Sequence, residues 1–182
     1  ILAQAGQRPL IVERGADVDQ RTGDVEAFWQ TGILQTESNV QFGEGGAGTF
    51  SDGKLHTGTK DIRCRKVLEE LVKAGAPEVI RYTAHPHVGT DLLPAVVKRI
   101  RESILSLGGE IRFHTKLTRL LFQGDQITGV VLQKLDGTSE MVDTRHVILA
   151  IGHSARDTYE MLYEAGVKIE AKAFSSGARI EH

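Results

Sequence analysis

The sequence contains very little cysteine, and its charges of opposite sign nearly balance. Cys64 is the single cysteine among 182 residues, which excludes an internal disulfide and any CxxC metal or redox motif. The 22 basic and 24 acidic residues leave a net charge of -2, so charge gives no reason to expect nucleic acid or an anionic membrane as a partner. No apolar run approaches the roughly 20 residues of a membrane span, and no signal peptide is apparent. We therefore expect a cytoplasmic protein that acts on a small molecule, and its oligomeric state stays open.

The beginning of the chain predicts part of a larger unit. Residues Ile1–Gly6 have the pattern of a helix end with a C-terminal glycine, and Pro9–Glu13 is a short apolar run that ends in a carboxylate. A helix end, a turn, a buried parallel strand and an acid form the second half of a β-α-β unit. We therefore expect an internal piece of a longer protein, cut within a helix.

The rest of the chain predicts an α/β fold that contains an antiparallel β-meander. Residues 16–34 predict a loop with a short helix around 25–29, and a glycine-rich loop follows over 35–60. Apolar spacing predicts helices over 61–74 and 91–107, the second capped by Asp91. A third helix is expected over 155–165. Strands are predicted over 110–115, 116–122, 127–132, 140–142, 145–150, 167–170 and 174–180.

Glu13 is the first candidate for a binding residue. In dinucleotide-binding folds, an acid at the tip of the second strand accepts hydrogen bonds from ribose hydroxyls, about 20 residues after a GxGxxG loop begins. Counting back about 20 residues from Glu13 places that loop before Ile1, so the motif is not present in this chain. An ordinary surface acid at a strand end is the alternative interpretation.

Five glycines lie between Gly43 and Gly53, and this is the most unusual stretch of the chain. Small residues let a backbone approach a flat or anionic ligand, and consecutive amides can bind phosphate oxygens. Ser51, Asp52 and Lys54 would add polar contacts. A flexible surface loop is the alternative.

The histidines offer weaker signals. His85 and His87 flank Pro86, but no third ligand stands at a suitable spacing, so no metal site is predicted. We expect a substrate-facing loop, with His56 as a candidate for the same pocket. Ser154 and Asp157 could form a hydrolase triad with a histidine on paper, but the GxSxG turn is missing.

Taken together, four segments resemble the FAD-dependent dehydrogenase family among the glutathione-reductase-like flavoproteins with two dinucleotide-binding domains. They are Arg8-Pro-Leu-Ile-Val-Glu-Arg-Gly15, Gly45-Gly-Ala-Gly-Thr-Phe-Ser-Asp-Gly-Lys-Leu55, Pro86-His-Val-Gly-Thr-Asp91 and Val147-Ile-Leu-Ala-Ile-Gly-His-Ser-Ala-Arg-Asp-Thr158. The resemblance covers nearly the whole chain. It implies a partial FAD/NAD(P)-binding Rossmann-like fold with the inserted β-meander and a helical segment on the substrate side.

The resemblance also implies a set of cofactor-binding residues. Glu13, with Arg14 beside it, would bind the adenosine ribose, Leu117 would read the adenine edge through its backbone, and Ala150 and Gly152 would close over the cofactor. The loop along the diphosphate and towards the flavin would contain Gly45, Gly46, Ala47, Gly48, Thr49, Ser51, Asp52, Gly53 and Lys54. Catalytic residues stay unidentified, because the redox chemistry belongs to the flavin itself.

The implied function is that of a fragment of a flavin-dependent oxidoreductase of unknown substrate, with FAD as cofactor and NAD(P)H as a candidate electron donor. Residues 1–59 would belong to the FAD-binding domain, 60–115 to the substrate-side segment, 116–152 to the meander and closing strand, and 153–182 to a second domain. Because the GxGxxG loop is missing, we expect this chain alone to bind FAD weakly or not at all. A non-catalytic nucleotide- or FAD-binding scaffold, or a fragment without activity, is the alternative.

Overall fold

The structure is a computed structural model, and it describes residues 1–51, 53–55, 59 and 61–173. The predicted strand over 174–180 lies outside these residues. The described part combines a two-stranded parallel sheet, a three-stranded antiparallel sheet and four α-helices. The predicted combination of α/β elements with an antiparallel meander is therefore confirmed.

The parallel sheet contains β1 (Leu10–Val12) and β2 (Glu110–Arg112), with Ile11 opposite Ile111. A 3-10 turn over Ala3–Ala5 precedes β1 and ends at Gly6 in the left-handed conformation. The predicted helix end and parallel strand are thus confirmed. The prediction of a buried strand was wrong for Ile11, which is 38% exposed because no described element covers that face of β1.

Helix α1 (Val18–Thr31) has 14 residues and is much longer than the short helix expected around 25–29. Asp17 begins it by accepting hydrogen bonds from the amides of Asp19 (2.9 Å) and Gln20 (3.2 Å). The apolar pattern is weak because its buried face contains two valines and an arginine, namely Val18, Arg21 and Val25.

Helices α2 (Cys64–Lys73) and α3 (Leu93–Ser106) confirm the predicted amphipathic helices, and a 3-10 turn over Glu78–Arg81 connects them. They enclose the first core cluster, whose buried members are Ala74, Ala76, Ile80, Val88, Leu93 and Val96. The prediction that Asp91 caps α3 was wrong. No side chain caps this helix, and the amide of Leu93 donates instead to the carbonyl of Gly89 at 3.1 Å.

The meander contains β3 (Thr115–Gln123), β4 (Gln126–Lys134) and β5 (Ser139–Asp143), paired in chain order. Leu120 lies opposite Val130 in its register. Helix α4 (Arg156–Glu164) packs Leu162 against it to form the second core cluster with Leu120, Val130 and Leu132. The strand expected over 110–115 ends early, because the chain turns at His114, where φ is 50°.

Two predicted strands are absent. Residues 145–150 and 167–170 form no strand, because no described strand lies beside them to complete a hydrogen-bonded ladder. Val147, Ile151 and Val167 still pack against the second core cluster, whereas Ile148 is 79% exposed. None of the helices in the described residues has the length and apolarity needed to cross a membrane.

Candidate functional site

Glu13 follows β1 directly and links the parallel sheet to the predicted glycine-rich loop over 35–60, called the glycine-rich segment below. Its Oε1 atom accepts hydrogen bonds from the amides of Gly15 (2.8 Å) and Gly43 (3.0 Å). Its own amide donates to the carbonyl of Arg112, and its carbonyl accepts from the amide of Thr115. Among the described residues, Oε2 of Glu13 has no hydrogen-bond partner. The carboxylate is therefore held through one of its two oxygens.

Gly15 and Gly43 are in direct contact beneath this carboxylate. A Cβ atom on Gly15 would lie 2.6 Å from Cα of Gly43 and 2.8 Å from the carbonyl oxygen of Glu37. No side chain fits between these two backbone segments. This contact allows the amide of Gly43 to reach Glu13.

Arg21 organises the other side of the glycine-rich segment. Its side chain is fully buried, and its Nε donates to the carbonyl of Asn39 at 2.9 Å. Nη1 donates to the carbonyls of Gly43 (3.3 Å) and Glu44 (2.6 Å), and the guanidinium lies 4.9 Å from the centre of the Phe50 ring. Burial lowers the pKa of Arg21 to about 10, against the opposite effect of nearby carboxylates. Nη2 is buried without a partner among the described residues.

Glu44 fixes the same segment to the first helix. Its Oε2 accepts from the amide of Val18 at 2.8 Å and lies 3.1 Å from Nη1 of Arg101. Burial raises the pKa of the Glu44 carboxyl, and the hydrogen bond and Arg101 oppose that shift. Arg21 and Glu44 together give this loop a defined path rather than that of a solvated surface loop.

The next residues, 45–48, are exposed to solvent, although the amide of Gly46 donates to the carbonyl of Gly43 at 3.1 Å. Cβ atoms added to Gly46 or Gly48 would meet nothing within 4 Å, so the space beside both is open. Thr49 is fully buried, and its Oγ1 has no partner among the described residues. Ser51 donates to the carbonyl of Ala47 at 2.8 Å, whereas Asp52 lies outside the described residues.

Arg14 lies at the centre of an ion-pair network with Glu37 and Asp157. It forms two hydrogen bonds with Glu37 (2.8 and 3.1 Å) and two with Asp157 (both 3.0 Å), and it stacks 4.3 Å from the centre of the Phe42 ring. Lys116 also donates to Asp157, at 3.2 Å. Burial lowers the pKa of Arg14, but these hydrogen bonds outweigh it and raise the pKa above its ordinary value. The network joins the end of β1 to α4 and the start of β3.

Leu117, Ala150 and Gly152 occupy different settings. Leu117 lies in β3, an edge strand of the meander, and pairs with Leu132 of β4. Its side chain packs against the second core cluster. Ala150 is exposed, and Gly152 (φ 65°) has open space beside its Cα. Ser154 donates to Oε1 of Gln41 at 3.0 Å, so the turn after Gly152 lies against the glycine-rich segment. Glu13, this segment and the 150–154 turn therefore meet in one region.

Lys54 lies in a second place, beside two of the predicted histidines. It pairs antiparallel with His87, and together with His85 these residues line an open cleft of about 780 Å³. His56, the third histidine assigned to this pocket, lies outside the described residues. Gly53 ends the glycine-rich segment at the base of the cleft, where its carbonyl accepts from the amide of Val88 at 3.1 Å.

The hydrolase arrangement does not form among the described residues. Oγ of Ser154 donates to Gln41 and lies 3.5 Å from Nε2 of His153, but Asp157 is engaged by Arg14 and Lys116 rather than by a histidine. In the same part of the chain, no three histidine, cysteine, aspartate or glutamate side chains gather as metal ligands.

The sequence predictions missed Arg21 and the partnership of Arg14 with Asp157. Val18, Arg21 and Val25 stand at positions i, i+3 and i+7, so a helix over these residues would have placed the arginine on the apolar face. Nothing in the sequence indicates the Arg14–Asp157 pair, since 143 residues separate its members.

No family model matches the chain. A relative described as an uncharacterized protein of Clostridium beijerinckii is 55% identical over 181 residues, which is 100% of this chain and 33% of that protein. The chain thus spans about a third of the length of the curated relative it matches.

Among solved structures, the chain is similar to THI4 of Thermovibrio ammonificans, with a TM-score of 0.55, 16% identity, and coverage of 92% of this chain and 57% of that one. A flavocytochrome c3 fumarate reductase matches with a TM-score of 0.42 and 17% identity, over 86% of this chain and 35% of that one. At these identities the likeness to THI4 shows the fold alone, and the weaker match carries no argument. The chain shares the α/β fold of THI4, which confirms the predicted Rossmann-like α/β class with an inserted antiparallel meander.

Proposed function

We propose that the chain forms part of the FAD-binding region of a flavin-dependent oxidoreductase. The observation that carries this proposal is Glu13, whose carboxylate is held through Oε1 by the amides of Gly15 and Gly43 while Oε2 has no partner among the described residues. A carboxylate fixed in this way at the end of a parallel strand suits the two hydroxyls of a ribose.

The glycine-rich segment supports the same proposal. Residues 45–48 are exposed, and the open space beside Gly46 and Gly48 lets a flat or anionic group approach closely. Arg21 and Glu44 hold the residues just before this stretch, so the backbone is arranged before a ligand arrives. In this proposal the segment from Gly45 to Lys54 follows the diphosphate towards the flavin.

The other residues predicted to contact FAD support the proposal to different degrees. Since β3 is an edge strand of the meander, we assign the adenine to the backbone near Leu117, and Gly152 has open space beside it for the cofactor. Arg14 is occupied by Glu37 and Asp157, so we assign it to fixing the loop after β1 rather than to the cofactor. When bound, the flavin would supply hydride or electron transfer, and these residues would hold and orient it.

Replacing Glu13 with glutamine tests the proposed ribose contact. Glutamine keeps an oxygen that accepts from Gly15 and Gly43, but it removes the negative charge and the second carboxylate oxygen. In the full-length protein we expect FAD affinity to fall by about tenfold to a hundredfold, because a charge-assisted hydrogen bond is lost. The measurement is flavin fluorescence quenching during an FAD titration.

Glu26→Gln is the matched control, since Glu26 is exposed on α1. Its FAD affinity should equal that of the unchanged protein. If Glu13→Gln and the unchanged protein bind FAD with equal affinity, Glu13 does not contact the cofactor. Anaerobic addition of NADH and NADPH to the same protein would identify the electron donor, and it would distinguish an enzyme from a scaffold that binds flavin without turnover.

A further inference from the structure

The Arg14 side chain is held by three different parts of the structure. Its Nε and Nη2 donate to the two carboxylate oxygens of Glu37 at 2.8 and 3.1 Å, and its Nη1 and Nη2 donate to those of Asp157, both at 3.0 Å. The guanidinium also lies 4.3 Å from the centre of the Phe42 ring. A planar guanidinium that is paired with two carboxylates and stacked on a ring has little freedom to turn. Arg14 therefore fixes the end of β1, residues 37–42 and the first turn of α4 relative to one another.

Residues 37–43 also contact Glu13 and its loop. The amide of Gly43 donates to Oε1 of Glu13 at 3.0 Å, and Phe42, on which Arg14 stacks, directly precedes Gly43. The carbonyl oxygen of Glu37 lies against Gly15, where an added Cβ atom would be 2.8 Å away. Arg14 thus contacts both ends of the stretch that leads to the Gly43 amide.

The main chain around Glu13 is fixed separately from its carboxylate. The amide of Glu13 donates to the carbonyl of Arg112 at 2.9 Å, and its carbonyl accepts from the amide of Thr115 at 3.0 Å. These bonds fix the backbone but not the carboxylate, which is held through Oε1 by the amides of Gly15 and Gly43. The direction of Oε2 therefore depends on where residues 37–43 lie.

Asp157 joins this arrangement to the second core cluster. It lies in the first turn of α4, and three buried residues anchor that part of the chain, namely Ala155, Thr158 and Leu162. Leu162 is a member of the second core cluster. Asp157 is therefore carried by a helix whose position is set by apolar packing.

The same part of the chain reaches residues 37–43 in two ways. Ser154 donates to Oε1 of Gln41 at 3.0 Å, and Asp157 acts through Arg14. Burial alone would raise the pKa of Asp157, but the hydrogen bonds from Arg14 and Lys116 lower it to about 2. The Asp157 carboxylate is therefore charged at neutral pH and pairs with Arg14 throughout the range in which the protein would work.

We propose that Asp157 is a positioning residue for FAD binding. Through Arg14 it holds residues 37–43 in place, so that the amide of Gly43 keeps the Glu13 carboxylate turned towards the ribose hydroxyls. This inference rests on the proposed flavin-binding function. Asp157 itself does not contact the cofactor, since its two oxygens are occupied by Arg14 and Lys116.

Asp157→Asn in the full-length protein tests the positioning role. Asparagine keeps the size of the side chain, but it lacks the charge and one of the two oxygens that accept from Arg14. We expect FAD affinity to fall about threefold to tenfold, measured by flavin fluorescence quenching. Glu160→Gln, which changes an exposed carboxylate on the same helix, is the matched control and should leave the affinity unchanged.

A double substitution separates positioning from a general loss of stability. In a protein that already carries Glu13→Gln, Asp157→Asn should lower FAD affinity by about twofold or less, because the carboxylate that Asp157 positions is gone. Ile80→Val removes a buried methyl group from the first core cluster and lowers stability without touching the network. Its FAD affinity should equal that of the unchanged protein.

Arg14→Lys tests the same connection from its other side. Lysine keeps the positive charge, but it cannot pair with both oxygens of Glu37 and of Asp157 at once. We expect it to lose at least as much FAD affinity as Asp157→Asn does. Urea denaturation of each variant shows whether it is folded under the conditions of the FAD titration.

Unchanged FAD affinity in Asp157→Asn or in Arg14→Lys would overturn the inference. An equal loss from Asp157→Asn with and without Glu13→Gln would also overturn it, as would an equal loss in Ile80→Val. In these cases the unchanged protein still binds FAD and the proposed function stands. A full-length protein that binds no FAD would instead overturn the proposed function and this inference together.

Discussion

At the scale of single residues, the buried cation Arg21 has the largest expected effect on stability. Its guanidinium satisfies three backbone carbonyls in the segment that reaches Glu13. Arg21→Met fits the apolar surroundings but leaves those carbonyls without a donor. We expect the free energy of unfolding to fall by about 2–4 kcal/mol, measured by urea denaturation.

Arg65→Met provides the comparison, because Arg65 is largely exposed and, within the described part of the chain, pairs with Glu69 on the same helix. It should change stability by less than about 0.5 kcal/mol. If both variants lose the same small amount, Arg21 does not hold the glycine-rich segment in place.

Asp157 gives a prediction about pH. Burial alone would raise its pKa, but the hydrogen bonds from Arg14 and Lys116 outweigh burial and lower the pKa to about 2. A lowered carboxyl pKa adds stability above the ordinary value of 3.8, and this stability is lost as pH falls towards 2. Asp157→Asn should therefore be less stable than the unchanged chain at pH 6, by about 0.5–1 kcal/mol after allowance for its solvent exposure.

The difference should shrink steadily between pH 4 and pH 2 in a series of urea denaturation curves, covering the range between the ordinary and the lowered pKa. Asp125→Asn, in the exposed turn between β3 and β4, should show no such trend. A difference that stays constant down to pH 2 would mean that Asp157 contributes through packing rather than through charge.

The position of Glu13 at the end of a strand was enough to single it out, and the structure shows its carboxylate held by the amides of Gly15 and Gly43. Its contact with a ribose stays a prediction. Arg21 was missed because its burial depends on how α1 packs against residues 39–44, which no local pattern records. Asp91 was predicted to cap α3 because it precedes that helix, but its carboxylate lies beside Gly89 instead.

At the scale of elements, the contact between the loop after β1 and the glycine-rich segment is the most sensitive to a small change. Gly15→Ala would place a methyl group against backbone atoms of Gly43 and Glu37, neither of which can rotate away. We expect a loss of about 1–3 kcal/mol in thermal or urea unfolding, as in other overpacked sites.

Gly48→Ala is the matched change, because it adds the same methyl group where nothing lies within 4 Å. Its stability should be close to that of the unchanged chain. If Gly15→Ala is tolerated equally well, the two segments do not pack as closely as described.

Elements were predictable where their own residues stabilise them. The meander was found through its alternating residues and two turns, and α2 and α3 through their apolar faces. Residues 145–150 have the composition of a strand, but a strand needs a neighbour to accept its hydrogen bonds, and none is present among the described residues. The left-handed His114 that shortens β2 also lacks a sequence signal, since glycine or asparagine is usual at such a position.

At the scale of the whole molecule, the order of elements was enough to predict the fold class, because few α/β arrangements place a meander between parallel elements. The structure contains two core clusters, one between α2 and α3 and one between the meander and α4. The Arg14–Asp157 network adds a polar link from the end of β1 to α4. The predicted boundaries between domains and segments, at residues 59, 115 and 152, stay a prediction.

The central claim is that the protein to which this chain belongs binds FAD, with Glu13 and the glycine-rich segment in the site. The most direct measurement is the visible absorbance spectrum of the full-length protein after purification and after incubation with excess FAD and removal of the unbound cofactor. We predict flavin absorbance at close to one FAD per chain, and a spectrum that bleaches on anaerobic reduction. A folded protein that stays colourless after incubation with FAD would contradict the account.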